Sequence, residues 1–199
     1  MSPLRQALTA VLTRLAADQP IAVALSGGLD SWVLALLLRD NGYTVTGYSL
    51  VSGVPNYCEW TQTQAIARQC GLLVQPIQAE DFQSALPRFL AVTGTEIYNL
   101  HPVSKLLLAE GLAARGVQLV VSGDAADQVF RCETHCDLLP LTQACFRHAN
   151  VELVTPFLEI RHLCATPDPD KKPLRKLAVE LGLPNIPKRP TYYPGEVRP

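Results

Sequence analysis

Surplus charge is the first thing this chain lacks: 17 Lys and Arg stand against 18 Asp and Glu in 199 residues, a formal net charge of −1. So even a balance exerts no long-range pull on nucleic acid or an anionic membrane, and any binding has to come from a local site. No apolar run approaches the ~18 residues needed to cross a bilayer. Internal repeats and low-complexity segments are missing too, which argues against a solenoid or a disordered linker. The opening stretch, SPLRQALTAVLTRLAADQP, has no continuous apolar core of a signal peptide. It carries Leu4, Leu8, Val11, Leu12 and Leu15 on one helical face with Arg5 and Arg14 interspersed, and so predicts a packing helix within residues 1–18. Without a secretory leader the six cysteines read as reduced thiols, not a disulfide framework, and the chain is expected in the cytoplasm.

With 48% hydrophobic residues the chain can bury one good core, and residues 1–199 are expected to form a single domain. Strand-like runs at Ile21 to Leu25, Tyr43 to Val51, Leu72 to Ile77 and Val117 to Ser122 are bounded by Gly, Pro or Asn. Helical patterns lie at Ser31 to Arg39, Glu59 to Gln69, Phe82 to Val92 and Val103 to Ala114. Strands alternating with helices predict a doubly wound α/β fold, a parallel sheet with helices on both faces, because parallel neighbours need crossovers. From Arg131 the periodic signal weakens. The proline-rich end, residues 184–199, predicts a tail over the surface.

Between the first strand and helix lies Ser26-Gly27-Gly28-Leu29-Asp30-Ser31. A glycine pair after a strand lets backbone N–H groups turn inward, and the next helix adds its N-terminal donors and positive dipole end, a setting for phosphate. It is not a Walker loop, which needs a lysine after the glycines, nor the G-x-G-x-x-G fingerprint. In place of the lysine stands Asp30, which suits an anion site only if a divalent cation bridges carboxylate and phosphate. The alternative is a glycine-rich turn in which Asp30 merely caps the helix.

SGGLDS resembles the signature of the PP-loop ATP pyrophosphatases, which split ATP between its α and β phosphates. The rest resembles one branch, the synthetase domain of the asparagine synthetase and β-lactam synthetase family. Asn99 to Phe130, ending VVSGDAADQVF, is similar to a stretch that runs into S-G-[DE]-G-x-D-E-L-F. TPFLE (Thr155 to Glu159) resembles P-F-L-D, KKPLRKLAVELGLP (Lys171 to Pro184) resembles K-x-P-L-R, and PKRPTYY (Pro187 to Tyr193) resembles P-K-R-x-x-x-Y. The segments keep the family's order from residue 21 to 193.

The resemblance implies ATP and Mg²⁺ as cofactors, with Asp30 and Asp127 as the metal ligands. Ser26, Gly27, Gly28 and Ser31, following Leu25, would cradle the β and γ phosphates. Tyr48, Ser49 and Leu50 would take the adenine through main-chain bonds, and Ser122 and Gly123 would offer N–H groups on the α-phosphate side. Lys188 would face the developing phosphate charge, assisted by Lys171 or Lys172, the latter taken as catalytic. Asp124 would serve proton transfer from the attacking amine. The implied reaction is ligation of a small-molecule or peptide carboxylate to ammonia or an amine. Nucleic acid and membrane partners are not expected, and a homodimer stays open.

The departures are equally specific. Full-length synthetases begin with a nucleophilic cysteine on a glutaminase domain, whereas residue 2 here is Ser2 and no such domain fits, so nitrogen is expected from free ammonia, a separate glutaminase or biosynthetic partner protein, or an amine substrate. Ala125 replaces a signature glycine and Gln128 the final acid, and the interval from Phe130 to Thr155 is short. Other functions weighed are a non-catalytic nucleotide-binding subunit, a tRNA- or metabolite-thiolating PP-loop enzyme, and a serine hydrolase built on Ser26 with Asp124 and His148 or His162. The hydrolase leaves Asp30 and the C-terminal lysines without a role and lacks the strand that would build an oxyanion hole. Finally, Cys132, His135, Cys136, Cys145 and His148 gather within seventeen residues. Cys132, Cys136, Cys145 and His148 are weighed as a Zn²⁺ or iron-sulfur site against the simpler reading of buried free thiols.

Overall fold

The computed structural model describes residues 2–16, 18–53, 60–97, 99–133 and 138–186. Five strands, β1 (Ile21–Ala24), β2 (Val45–Val51), β3 (Leu73–Gln78), β4 (Leu119–Ser122) and β5 (Glu152–Val154), form one sheet in the order β3-β2-β1-β4-β5. Every pairing is parallel; β1 sits in the middle, with Ala24 opposite Tyr48 on one side and Ser122 on the other. The chain winds outward through β2 and β3, then returns to lay β4 against β1. Strand order therefore reverses between β1 and β4, and a crevice opens there beyond their carboxyl ends.

Helices α1 (Pro3–Leu12), α2 (Leu29–Asp40), α3 (Trp60–Cys70), α8 (Pro156–Glu159) and α9 (Lys172–Glu180) belong to one face. Helices α4 (Phe82–Thr93), α5 (Val103–Ala113) and α7 (Leu138–His148) cover the other, and α6 (Ala126–Phe130) follows β4 at the crevice. Among the described residues no helix is long and apolar enough to cross a membrane.

The sequence reads out locally at several of these ends. Ser2 caps α1, its Oγ accepting the Arg5 N–H at 3.3 Å, with Pro3 in the first turn. Leu4, Leu8 and Leu12 then share the buried face of the expected packing helix. Asp81 caps α4 by accepting from Ser84 N at 2.9 Å, and Gly94 ends it in a left-handed conformation, φ 63°. Pro76, which has no N–H, falls on β3, an edge of the sheet, where no ladder bond is lost on the outer side. Helix α2 lacks a polar face: Ser31 to Leu38 are all buried, because the sheet lies on one side and α1 and α9 on the other. Each fully buried leucine there contributes roughly 1.5–3 kcal/mol.

One expectation needs correction. The fading periodicity after Arg131 conceals α7, β5 and α9. Strand β5 is only three residues long on a sheet edge, too short for alternation to show. Of the expected tail, residues 184–186 are described: Pro184 is half-buried, Asn185 exposed and Ile186 buried, and Arg175 Nη1 donates to the Ile186 carbonyl at 3.1 Å. Residues 187–199 lie outside the described residues.

Candidate functional site

The loop after β1 is held from within. The Ser31 hydroxyl accepts from Ser26 N at 3.3 Å, the Ser26 hydroxyl accepts from Gly28 N at 3.2 Å, and Gln62 Nε2 donates to the Gly27 carbonyl at 3.3 Å. Beneath it the buried Trp32 indole donates to the Ser26 carbonyl at 2.9 Å, so a core side chain one turn into α2 sets the pitch of the loop. Gly28 enters α2 in an extended conformation with no side-chain cap. The first-turn N–H groups of a twelve-residue helix thus face the crevice with the dipole's positive end.

Gly123 brings the second loop against the first. A Cβ there would stand 2.9 Å from Ser31 N and 3.0 Å from Asp30 Cβ, so only glycine allows the chain leaving β4 to touch the start of α2. Two residues on, Ala125 takes a left-handed conformation, φ 69°. The signature has a glycine at that position; alanine adopts it at a cost of about 1–2 kcal/mol.

Asp30 and Asp127 meet at one ammonium. Lys171 Nζ lies 2.7 and 2.8 Å from the two Asp30 oxygens and 3.1 Å from Asp127 Oδ1. Burial pushes the Asp30 carboxyl above its ordinary value, more than the charge and hydrogen bonds of Lys171 pull it down. Two carboxylates converging on one cation form a donor set that suits a hard divalent ion: Mg²⁺ is commonly held by one or two carboxylates plus substrate phosphates. Among the described residues no group of three His, Cys, Asp or Glu side chains converges.

Lys171, not Lys172, is the lysine that enters this site. Lys171 caps α9 in a left-handed conformation, φ 52° and ψ 43°, which turns its side chain inward to 10% exposure. Lys172 is exposed, and its backbone N–H donates to Asp168 Oδ2 at 2.9 Å. Lys172 is the first residue of α9 with Pro173 beside it in the first turn, and the chain makes its entry turn at Lys171. K-x-P-L-R itself pointed there, since its lysine falls on 171.

Asp124 lies on the other side of the crevice. Its Oδ1 accepts from Lys105 Nζ at 2.6 Å and its Oδ2 from the Ser122 hydroxyl at 2.8 Å, while Asp124 N donates to Ser122 Oγ at 3.2 Å. Burial alone would raise this carboxyl, but the charge and hydrogen bond of Lys105, the Ser122 hydroxyl and nearby His101 together hold it below the ordinary value. Burial first, then Lys105, lowers His101 to about 4.

At the end of β2, Leu25 N donates to the Tyr48 carbonyl at 2.7 Å, and Ala79 N donates to the Val51 carbonyl at 2.8 Å. Tyr48 therefore directs its backbone toward β1 and Val51 toward β3. By alternation the Leu50 backbone faces β1 beyond the end of that strand, while that of Ser49 faces β3.

The remaining expected residues are scattered. Lys188, Cys136 and His135 lie outside the described residues. Cys145 is fully buried on α7 beside Phe146, its thiol pushed up to about 12 by burial, whereas the Cys132 thiol donates to the Cys164 carbonyl at 2.8 Å. Cys132 and Cys145 thus serve separate packing environments. Sequence reasoning missed Lys105 and His101, although Lys105 is the one charge in the run from Val103 to Ala109.

The asparagine synthase family profile matches residues 4–180. An amidase of Penicillium rubens, chyE, is 30% identical over 146 residues, covering 63% of this chain and 21% of its own length. A tRNA-specific 2-thiouridylase, MnmA, of Syntrophomonas wolfei is 61% identical over 31 residues, 16% of this chain and 9% of its own. The chain therefore spans about a fifth or less of these curated relatives.

Proposed function

Because the chain belongs to the asparagine synthase family, we propose that it is an ATP-dependent ligase that activates a carboxylate as its adenylate, releases pyrophosphate, and passes the acyl group to ammonia or an amine. The observation that carries this reading is the convergence of Asp30 and Asp127 on Lys171 beside the phosphate-shaped loop. Asp30 and Asp127 would hold Mg²⁺, which would neutralise the phosphates of the leaving group. The loop residues Ser26 to Gly28 and the start of α2 bind the phosphates and orient the α-phosphorus toward the acceptor. Where Mg²⁺ is held by the two carboxylates, Lys171 would turn its charge to phosphate oxygen, and Lys188 would support the same charge. Leu50 takes the base edge through its backbone. Asp124 accepts the proton that the nitrogen loses as the amide forms.

The test is exchange of labelled pyrophosphate into ATP over a panel of amino acids, peptides and other carboxylates. Exchange that depends on one carboxylate class and on Mg²⁺ is the expected result; ATP cleavage giving orthophosphate alone overturns the reading. A second reading, a non-catalytic nucleotide-binding subunit, is favoured by Gln128 in place of the family's final acid. It would bind ATP and exchange nothing.

A further inference from the structure

Lysine in the first turn of α5 is in an unfavourable place. Lys105 is the third residue of that helix, where the dipole's positive end opposes a cation, and its side chain is only 17% exposed. A partly buried ammonium there needs a counter-charge, and Asp124, 18% exposed, supplies it at 2.6 Å. Asp124 is the residue after Gly123, which is pressed against the first turn of α2, so the ion pair lies one residue from the phosphate loop. It faces the same crevice from the opposite sheet face to Lys171. The surroundings are fixed from both elements: His101 precedes α5, its N–H bound to Asn99 Oδ1 at 2.9 Å, and Ser122 closes β4.

We propose that Lys105 is a positioning residue for the ligation step: its ammonium clamps one oxygen of Asp124 while the Ser122 hydroxyl clamps the other, leaving the second lone pair of each oxygen for the attacking nitrogen. This rests on the ligase reading given above. In the step concerned, the nitrogen lone pair forms the C–N bond to the acyl carbon, and the bond from that carbon to the adenylate oxygen breaks with its electrons, releasing AMP. The proton shed by nitrogen passes to Asp124 and from there to solvent. A carboxylate can receive that proton only while it is ionised and correctly turned, and Lys105 secures both. Without Lys105, burial acts on Asp124 unopposed except by His101 and Ser122, and the carboxyl takes up its own proton at a higher pH.

Amide formation by the purified full chain is measured from pH 5.5 to 9 for the wild type, Lys105→Met and Lys105→Arg, with folding checked by urea titration. In Lys105→Met the acid limb of kcat, which in the wild type lies below this range, should rise into it, with a loss of about tenfold for each pH unit below the new midpoint that vanishes at high pH. Lys105→Arg should restore the wild-type profile. A folded Lys105→Met whose loss is the same at every pH, or whose profile is unchanged, overturns the proposal. If Lys105→Met does not fold, Lys105→Met/Asp124→Asn should, because it leaves no unpaired charge. Failure of that double variant as well would make the pair a packing element and overturn the proposal. Carbon-13 titration of Asp124 in wild type and Lys105→Met stands apart from turnover. If no carboxylate supports pyrophosphate exchange, the ligase reading falls, and a raised Asp124 midpoint in Lys105→Met still supports the clamp, whereas an unmoved midpoint refutes it.

Discussion

The contact between Gly123 and the start of α2 offers the sharpest single perturbation. In Gly123→Ala the new methyl would meet Ser31 N at 2.9 Å, Asp30 Cβ at 3.0 Å and the Asp30 carbonyl carbon at 3.2 Å. All three fall inside the ~3.5–4.0 Å optimum for packed heavy atoms. Two of the three are backbone of a helix that is buried along its length, so no side-chain rotation relieves them. The loop must move away instead. Overpacking of this kind costs about 1–3 kcal/mol. At ~2–4 °C per kcal/mol for a chain of this size, Tm should fall by roughly 2–12 °C. Because Asp127 lies four residues on, the same movement separates it from Asp30, and Mg²⁺-dependent ATP binding should weaken more than stability alone explains. The control is Gly53→Ala, where no atom lies within 4 Å and φ is ordinary, and where a change within about 0.5 kcal/mol is expected. Urea unfolding of both variants, followed by calorimetric titration with ATP in Mg²⁺, measures the two effects. A Gly123→Ala protein as stable as the control and with native ATP affinity would refute the close approach of the two loops.

Two further outcomes are expected. Lys171→Met leaves Asp30 and Asp127 facing each other without their cation and should cost about 1–3 kcal/mol in thermal melts, partly regained in millimolar Mg²⁺, while Lys172→Ala stays within about 0.5 kcal/mol; equal losses would show that the wrong lysine has been placed in the site. His101 is held near 4 when folded against 6.5 when unfolded, so the unfolded chain binds the extra proton; its stabilising contribution is complete above about 6.5 and lost as pH falls to about 4. The unfolding free energy of the wild type, from urea titration, should therefore drop through that window by up to about 3 kcal/mol more than that of His101→Gln, and parallel curves would contradict it.

How far the sequence could be read depended on the range of the forces involved. Strands β1 to β4 and the helices between them were legible because a half-buried helix or a buried strand writes its period into neighbouring residues. The boundaries shifted by a residue or two, as where β1 ends at Ala24 and not Leu25. The phosphate loop was legible because its requirements are local: two glycines, two hydroxyls and a helix N-terminus within six residues. Helix α9 was visible only as K-x-P-L-R, and β5 not at all, since a three-residue edge strand takes its identity from its partner β4.

Residues 26–31 and the 122–127 signature therefore determined, by themselves, which chemistry to look for and on which strand ends. What only the tertiary structure decided is which charges meet. Lys171 is 141 residues from Asp30 and Lys105 is 19 from Asp124, and no local pattern pairs them. The choice of Lys171 over Lys172 turns on one left-handed residue at the start of α9. The pairing of Lys105 with Asp124 turns on the first turn of α5 standing at the carboxyl end of β4. Electrostatic partners are selected by distance in space at a cost fixed by burial, and both quantities exist only once the sheet has closed the chain upon itself.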